Sequence, residues 1–322
     1  MKWLLMLIAV NSFSLSFAQT PVNTTQIMII GGIQQYISIK GKDNSKPLLL
    51  FLHGGPGGSV MDVADKFTML LQEEFVVIQW DQRETGKTLK LNQSKAPLTL
   101  ANFQRDTHDL IDSLLKQFNR EKLFLAGHSW GTVLGFYIAD HYPESLYAYV
   151  AISPVINQQE SEKVSLALMK EKYLRENNKQ ASEELSSVNI PFENADQLYY
   201  HRKWLFAFEG QKLSARAFPK KFVLSWAATW FNVWTEATKL NLNEKLPVVK
   251  CPVYFFVGKN DYQTNFSISE HYFSTLSAPL KQICWFEKSG HLIPDTEPLL
   301  MQNLIIEKVL PKLIVHKIIS TY

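Results

Sequence analysis

The first half of the chain contains short, continuously apolar runs. They cover residues 48–52, 75–80, 123–126 and 148–152, and Gly, Asp, Ser or Pro follows each of them closely. Continuous runs of this length are typical of strands that are buried on both faces, as in a parallel sheet. Helical patterns at 101–118 and 132–141 lie between these runs. The alternation of strand and helix predicts an α/β domain with right-handed crossovers.

Strand patterns also occur on both sides of this region. Residues 27–30 and 35–39 are apolar or alternating runs that flank Gly31-Gly32, which predicts a β-hairpin. Apolar runs return at 252–258 and 282–286, and a helical pattern that ends near Lys308 closes the domain. The predicted sheet is therefore interrupted by a long segment of a different kind.

That segment, residues 155–245, combines charged helical patterns with many aromatic residues: Tyr199, Tyr200, Trp204, Phe206, Phe208, Trp226, Trp230, Phe231 and Trp234. A small helical bundle needs such rings for its own core, whereas a cap above an active site needs them to line a pocket. We expect both uses. The prediction is a core formed by residues 19–154 and 246–322, with a helical cap inserted at 155–245.

Composition excludes several classes of protein. The chain has 322 residues, of which 46% are hydrophobic and 20% charged, and its formal net charge is +3. This length and apolar content are sufficient for one large α/β domain with an insertion. The basic residues are few and scattered, so we do not expect a nucleic-acid partner.

The first 18 residues have the pattern of a secretory signal peptide. Lys2 provides the positive charge, and residues 3–10 form the apolar region. In Ser16-Phe17-Ala18, the small residues Ser16 and Ala18 suit a cleavage site before Gln19. The apolar run is shorter than the ~20 residues that cross a bilayer. We expect an exported protein, periplasmic or extracellular, without a membrane anchor after cleavage.

Cys251 and Cys284 are the two cysteines of the chain. In an exported protein the two cysteines could form a disulfide. Both, however, lie at or inside apolar runs, where free cysteine packs as a small hydrophobic residue. Two cysteines without a nearby histidine cluster do not form a zinc site. We expect neither a metal ion nor an organic cofactor.

The sequence Gly127-His128-Ser129-Trp130-Gly131 lies between a predicted strand and a predicted helix. In that context G-x-S-x-G forms a turn so tight that only glycine fits on either side of an exposed serine hydroxyl. The helix N-terminus also favours negative charge at that point. Ser129 is therefore the candidate nucleophile. His128, like His108 and His141, is expected to be structural or solvated.

A serine nucleophile needs a base, and the base needs an acid that orients it. Asp261 and His291 each follow the carboxyl end of a predicted strand, in the chain order Ser, acid, His of this kind of enzyme. Parallel strands bring such positions to one edge of the sheet. Asp295 and Glu297 are weaker candidates for the acid, because they follow the histidine and suit the cap of the next helix.

A glycine-rich loop, His53-Gly54-Gly55-Pro56-Gly57-Gly58, directly follows the apolar run 48–52. Acyl transfer develops negative charge on a carbonyl oxygen, which rigid backbone N–H groups stabilise. In this arrangement the donors are the N–H groups of Gly55 and Trp130. The loop lacks the Gly-Lys-Ser/Thr ending of a phosphate-binding P-loop. We expect an oxyanion hole.

Together these motifs resemble the proline iminopeptidase family of α/β-hydrolases. The resemblance covers residues 27–310 and rests on the motifs HGGPG (53–57), WDQR (80–83), GHSWGT (127–132), GKND (258–261) and GH (290–291). It implies the α/β-hydrolase fold and the removal of N-terminal residues from peptides. The family pattern continues D-Q-R-G-x-G-x-S, whereas this chain has Glu84 in place of the first glycine and Thr88 in place of the serine.

Family members hold the free amine of the substrate with carboxylates of the cap. The candidates here are Glu209 and Glu236, although a cap glutamate often lies on a solvated helix face. An apolar substrate pocket would draw on Trp130, Trp204, Phe208, Trp226 and Trp230, which equally suit the core of the cap.

The sequence thus predicts a serine hydrolase that acts through an acyl-enzyme on a small peptide or small acyl substrate. The resemblance favours release of N-terminal proline or another small residue from short peptides. Alternatives are an esterase, amidase or lactonase with the same triad, and a ligand-binding protein without turnover. The complete triad disfavours the latter, and the serine of the elbow disfavours aspartate-nucleophile dehalogenases and epoxide hydrolases.

Overall fold

The fold is described for residues 20–92, 98–211 and 218–311 of a computed structural model. The predicted signal peptide and the apolar segment after Pro311 lie outside the described residues. Within the described ranges, no helix combines the length and the apolarity needed to cross a membrane.

The described strands form one sheet in the order β1-β2-β4-β3-β5-β6-β7-β8. Their bounds are β1 (Val22–Ile30), β2 (Ile33–Gly41), β3 (Leu48–Leu52), β4 (Val76–Asp81), β5 (Leu123–His128), β6 (Leu146–Ile152), β7 (Val253–Gly258) and β8 (Lys281–Phe286). The pairs β1–β2 and β2–β4 are antiparallel, and all other neighbouring strands are parallel. The predicted parallel sheet is confirmed.

The predicted hairpin is formed by β1 and β2. Its turn consists of Gly31 and Gly32, which have φ angles of 54° and 78°, and Ile30 pairs with Ile33 across it. Two consecutive residues at positive φ match the right-handed twist of the flanking strands, and glycine adopts that conformation at low cost. Hence the diglycine fixes the register of the first two strands.

The described helices lie between and around the strands. They are α1 (Asp65–Thr68), α2 (Leu71–Glu74), α3 (Gly86–Leu91), α4 (Leu100–Phe118), α5 (Trp130–His141), α6 (Gln158–Arg175), α7 (Lys179–Ser186), α8 (Ala195–Phe208), α9 (Lys220–Thr238), α10 (Leu242–Lys245), α11 (Phe266–Thr275), α12 (Ile293–Thr296) and α13 (Pro298–Leu304). A 3₁₀ turn spans Pro143–Ser145, and a π-helical turn spans Ile305–Val309. The described residues between β6 and β7 thus contain helices α6 to α10.

Two apolar layers cover the faces of the sheet. All five residues of β3 are buried, and they alternate: Leu48, Leu50 and Leu52 face one layer, and Leu49 and Phe51 the other. Successive side chains of a strand point to opposite faces, so a strand between two layers must be apolar throughout. This is the physical origin of the continuous runs in the sequence.

The same two layers separate the cysteines. Cys251 packs in the layer that contains Leu50, whereas Cys284 packs in the layer that contains Phe51. Both thiols are free and buried. The possible disulfide is therefore not formed, because the sheet lies between the two side chains.

The helices between β6 and β7 have an apolar core of their own. It includes Met169, Tyr173, Leu185 and Leu205. The second half of α9 instead contributes Trp230, Val233 and Trp234 to the main core. Asn157, just before α6, forms an isolated bridge with Asn241, just after α9. These helices thus combine an internal core with attachments to the sheet domain.

Candidate active site

Ser129 lies in a sharp turn between β5 and α5. Its φ and ψ angles are 52° and −119°, a conformation that costs a non-glycine residue about 1–3 kcal/mol. A Cβ atom on Gly127 would lie 2.6 Å from the Gly131 carbonyl oxygen, and one on Gly131 would collide with the Leu52 carbonyl. Both flanking glycines are therefore required by close backbone contacts.

The three residues predicted to form a triad lie together at the carboxyl edge of the sheet. The Nε2 atom of His291 is 2.8 Å from the Ser129 hydroxyl, and its Nδ1 atom is 3.1 Å from Oδ2 of Asp261. All three side chains are buried. This geometry lets an imidazole take a proton from the serine while a carboxylate orients the ring.

Asp261 is surrounded by hydrogen-bond donors. Its Oδ1 accepts from the backbone N–H of Gln263 and Thr264 at 3.0 and 2.9 Å, and its Oδ2 accepts from the Thr264 hydroxyl at 2.8 Å. Burial alone would raise the pKa of this carboxyl, but the neighbouring His291 and the donors of Thr264 outweigh burial and lower the pKa. Asp261 is consequently held as the carboxylate.

The main chain of His291 is also fixed. Its carbonyl oxygen accepts a hydrogen bond from the Ser153 hydroxyl at 2.8 Å and lies 2.9 Å from Nε2 of His128. Burial, reinforced by the charge of His291, lowers the pKa of His128 to about 4. A neutral His128 can donate from Nε2 to this carbonyl. His128 therefore links the serine turn to the histidine loop, a contact that sequence analysis did not foresee.

The glycine-rich loop after β3 lies against the serine turn. A Cβ atom on Gly54 would be 3.4 Å from the Cβ of Ser129. Gly55 follows with a φ angle of 122°, a conformation that glycine tolerates. Trp130 is the first residue of α5, and the first N–H groups of a helix have no partner within it. The candidate oxyanion donors thus come from two segments next to Ser129.

A cleft of about 830 Å³ opens above these residues. It is lined by Gly54, Gly55, His128, Ser129 and His291 of the sheet domain, and by Phe206, Glu209, Phe218 and Phe222 from α8, α9 and their flanking residues. Of the two predicted cap acids, Glu209 faces the cleft.

Glu209 caps the C-terminus of α8, and its Oε1 accepts a hydrogen bond from the Tyr262 backbone N–H at 3.2 Å. Burial and the nearby negative charge of Asp261 raise the pKa of Glu209 to about 7. A cation that binds beside such a carboxyl stabilises its charged form, because the cation offsets both the cost of burial and the repulsion from Asp261. Glu209 is thus a candidate partner for a positively charged group in the cleft.

A smaller apolar pocket of about 180 Å³ adjoins the cleft. Gly55, Phe206, Phe218, Phe222 and Gln263 line both spaces, and the pocket adds Leu198, Arg202, Val223, Trp226 and Trp234. An apolar cavity of about 150 Å³ is sufficient for one benzene ring. The side pocket therefore has the size and lining for one ring or apolar side chain.

Comparisons with known proteins agree with this geometry. The family model for serine aminopeptidases of family S33 matches residues 43–298. The chain belongs to this family. The probable aminopeptidase YbaC of Bacillus subtilis is 30% identical to it over 86% of this chain and 93% of that protein. The proline iminopeptidase of Heyndrickxia coagulans is 25% identical over 84% and 93%, respectively.

Solved structures support the same fold. The proline iminopeptidase of Mycobacterium smegmatis has a TM-score of 0.62 at 16% identity and covers 90% of this chain and 98% of its own. The proline iminopeptidase-related protein TTHA1809 of Thermus thermophilus has a TM-score of 0.57 at 22% identity and covers 89% and 99%. The predicted α/β-hydrolase fold and the resemblance to proline iminopeptidases are confirmed.

The structure explains how this S33 family member accommodates its departures from the family motif. Glu84 adopts a φ angle of 53°, in the left-handed region where glycine is favoured. The Thr88 hydroxyl donates to the Asp81 carbonyl at 2.5 Å and accepts from the Tyr36 N–H at 2.9 Å. A serine hydroxyl could make the same bonds, so the turn keeps a tight conformation despite both substitutions.

The remaining cap candidates of the sequence analysis lie elsewhere. Glu236 accepts a hydrogen bond from the Leu100 N–H at 3.0 Å, at the start of α4, and is not among the residues that line the cleft. Trp204 packs on Tyr173 in the core of the cap and donates to Glu184 at 2.7 Å. Local sequence cannot separate these roles, because all such residues occur on amphipathic helices.

Phe208 and Trp230 pack against loops of the site and do not line the cleft. The ring of Phe208 packs edge-on against Tyr262, the residue after Asp261. The indole of Trp230 lies against Gly57, where a Cβ atom would approach it to 2.6 Å. Neither lines the cleft or the side pocket. They support the acid loop and the glycine-rich loop instead of contacting a substrate.

The weaker acid candidates do not cap the next helix with their side chains: Glu297 is the N-cap residue of α13 but makes no side-chain cap hydrogen bond. Glu297 accepts hydrogen bonds from the Lys288 N–H at 3.1 Å and the Ser289 hydroxyl at 2.6 Å. Asp295 lies on α12 and lines the cleft. The carboxylate next to the His291 ring is that of Asp261. Among the residues described, no cluster of His, Cys, Asp or Glu is arranged to hold a metal ion.

Proposed function

We propose that this hydrolase is a serine aminopeptidase that releases N-terminal proline, or another small residue, from short peptides through an acyl-enzyme. The observation on which this rests is that Glu209 and the Ser129–His291 pair line the same cleft. A carboxylate next to a nucleophile can hold a substrate by its free ammonium group and place the adjacent carbonyl for attack.

The first half of the reaction forms the acyl-enzyme. The Ser129 oxygen bonds to the carbonyl carbon of the substrate while Nε2 of His291 takes the proton of the Ser129 hydroxyl. The carbonyl electrons move to oxygen, and the N–H groups of Gly55 and Trp130 stabilise that negative charge. When the C–N bond breaks, His291 returns the proton to the leaving amine. Asp261 stabilises the imidazolium that exists between these two transfers.

The second half repeats these steps with water. His291 removes a proton from a water molecule, whose oxygen bonds to the acyl carbon and displaces the Ser129 oxygen. The proton then returns to Ser129, and the free amino acid leaves. The same base and the same donors serve both halves, so no further group of the protein is needed.

Substrate selection follows from the two features beside the nucleophile. An ammonium group paired with Glu209 explains a preference for unblocked N-termini. The side pocket, lined by Phe206, Phe218 and Phe222 among others, suits an apolar ring such as that of proline. Residues of α8, α9 and their flanking segments line part of the cleft, and we expect this to favour short peptides over folded proteins.

The test compares proline arylamide, N-acetyl-proline arylamide and a short-chain nitrophenyl ester, with Ser129→Ala as the control. We expect the free-amine arylamide to be cleaved at least ~10-fold faster than its acetylated form, since a charged hydrogen bond of this kind contributes about 1.5–3 kcal/mol. High ester turnover with no cleavage of any free-amine arylamide would instead establish an esterase.

We also propose that the protein is exported with cleavage before Gln19, on the basis of the charged and apolar pattern of residues 1–18. Expression of the full chain in a secretion-competent host should yield mature protein whose N-terminal residue is Gln19. Recovery of the intact N-terminus in the cytosol would contradict export.

A further inference from the structure

The WDQR motif, residues 80–83, has no part in the chemistry described so far. It ends β4 and continues into the turn before α3. All four of its side chains are buried. Buried polar groups are expensive unless each hydrogen bond is satisfied, so their partners show what the motif holds in place.

Gln82 is bound to the first residue of the glycine-rich loop. Its backbone N–H donates to Nε2 of His53, and its side-chain Nε2 donates to the His53 carbonyl, both at 3.4 Å. Nδ1 of His53 in turn lies 2.8 Å from the Gly54 carbonyl. Burial lowers the pKa of His53, which favours the neutral ring with one donor and one acceptor that these contacts require.

The Gln82 side chain also binds Trp130, which contributes the second candidate oxyanion donor. The indole Nε1–H of Trp130 donates to Oε1 of Gln82 at 2.9 Å. Gln82 is fully buried, and its amide nitrogen binds the glycine-rich loop while its amide oxygen binds Trp130 at the start of α5. A single glutamine thus connects the loop that contains Gly55 with the helix start that contains Trp130.

Asp81 holds the other end of the glycine-rich loop. Its Oδ1 accepts from the Ser59 hydroxyl at 2.5 Å, and its Oδ2 accepts from the Lys87 N–H at 2.8 Å. Ser59 directly follows Gly58. The two ends of the loop are therefore bound to two consecutive residues of β4 and its extension.

Such support matters because four of the six residues of the loop are glycine, and the backbone hydrogen bond within it, from the Gly58 N–H to the Gly54 carbonyl, is 3.3 Å long. Gly55 and Gly57 have φ angles of 122° and 84°, and glycine has more backbone freedom than any other residue. Donors for an oxyanion act only when they are held near their productive positions before the reaction.

We propose that Gln82 and Asp81 are positioning residues that hold the N–H groups of Gly55 and Trp130 at the separation the oxyanion needs. This inference rests on the proposed serine mechanism. It gives a positioning role to Asp81 and Gln82 of the WDQR motif, and it makes Gln82 the residue through which both donor segments are aligned.

The main variant is Gln82→Met, which keeps the length and the buried volume but loses both ends of the amide. Misplaced donors lower the rate without weakening ground-state binding, so we expect kcat for a short-chain nitrophenyl ester to fall about 10- to 100-fold with little change in KM. The second-order rate of labelling by a fluorophosphonate should fall by a similar factor, because its phosphoryl oxygen uses the same donors.

Gln35→Met is the matched control. Gln35 is another fully buried glutamine that accepts from an indole, Trp80 Nε1 at 2.7 Å, and donates to Asp106 and to the Ile30 carbonyl. Its loss should lower Tm about as much as the loss of Gln82, yet leave kcat and the labelling rate within about threefold of wild type. Equal losses of rate in both variants would overturn the proposal.

Ser59→Ala provides a variant on the exposed side of the loop, where folding is not at risk. It removes the hydrogen bond to Asp81, and we expect kcat and the labelling rate to fall about threefold with KM unchanged. A wild-type protein that the fluorophosphonate does not label would refute the serine mechanism itself. A labelled wild type together with Gln82→Met and Ser59→Ala variants that react at the wild-type rate would refute only the positioning role.

Discussion

The sheet domain and the helices between β6 and β7 contribute to the same cleft in different ways. Ser129, Asp261 and His291 each follow the end of a parallel strand, so the sheet alone brings them to one edge. Glu209 instead reaches the cleft from the end of α8, and its position depends on how a helix packs. The candidate triad is therefore positioned by the sheet, whereas Glu209, the proposed partner of a substrate amine, is positioned by the helices between β6 and β7.

Two glutamates of the helices between β6 and β7 show how strongly the contribution of these helices to the cleft depends on packing. Glu209 lies beside Tyr262 in the cleft, whereas Glu236 caps the start of α4. Glu209 follows Phe208 and Glu236 lies two residues after Trp234, so both have an aromatic residue close by in the sequence and their local patterns do not separate them. Only tertiary packing decides which one can meet a substrate.

The largest effect is expected in the sheet domain. Asp261→Asn leaves the shape of the site unchanged but removes the charge that orients His291, and comparable changes cost about 10⁴-fold in kcat. The measurement is kcat on both the arylamide and the ester, which should fall together. A loss of similar size in Glu297→Gln would show that the acid is assigned to the wrong residue.

The next effect separates the two cap glutamates. Glu209→Gln should lower kcat/KM for a free-amine arylamide about 10- to 100-fold, because a charged hydrogen bond contributes about 1.5–3 kcal/mol. Ester hydrolysis should remain within about threefold of wild type. Glu236→Gln is the matched control: its amide oxygen can still accept from the Leu100 N–H, so the arylamide-to-ester ratio should stay unchanged and Tm close to that of wild type.

The pH dependence sharpens the role of Glu209. Because the fold raises the pKa of this carboxyl from 4.5 to about 7, Glu209 loses its charge as the pH falls through 7. The ratio of kcat/KM for arylamide to that for ester should therefore fall below pH 7 in wild type and stay constant in Glu209→Gln.

The same pKa predicts a change in stability. As the pH rises from 4.5 to 7, the unfolded chain ionises at this residue before the folded one does, so the free energy of unfolding decreases across that window. Glu209→Gln should therefore raise Tm relative to wild type at pH 8 but not at pH 4.5. An unchanged difference in Tm across this range would contradict the raised pKa of Glu209.

The smallest effect concerns a contact between the cap helices and the sheet domain. The indole of Trp226 on α9 donates to the Pro56 carbonyl of the glycine-rich loop at 2.9 Å. Trp226→Phe removes that bond and keeps an aromatic ring, so kcat should fall only about two- to fivefold on all substrates. A selective loss on proline substrates would show that Trp226 acts through the side pocket that it lines, and not through its bond to the loop.

The sequence was sufficient for the sheet and the triad because both depend on local patterns. Buried strands require continuous apolar runs, and a chemical motif directly after such a run lies at the edge of the sheet. The tight turn around Ser129 requires glycine on each side, so it is visible as G-x-S-x-G. The hairpin around Gly31-Gly32 follows the same logic.

The contacts that the sequence did not predict are long-range and polar. Nothing local connects His128 with the His291 carbonyl, or Gln82 with His53 and Trp130. The placement of Trp204 in the core of the cap, and of Trp226 against Pro56, depends on which face of a helix packs inward. An aromatic residue satisfies either environment, so its type alone does not decide between core and pocket.

The central claim is that Ser129 is an activated nucleophile whose base is His291. Treating the folded protein with a fluorophosphonate at neutral pH, followed by peptide mapping by mass spectrometry, tests it directly. We expect a single adduct on Ser129 that forms at least ~10³-fold more slowly in His291→Ala. A folded protein that remains unlabelled, or an adduct on another residue, would contradict it.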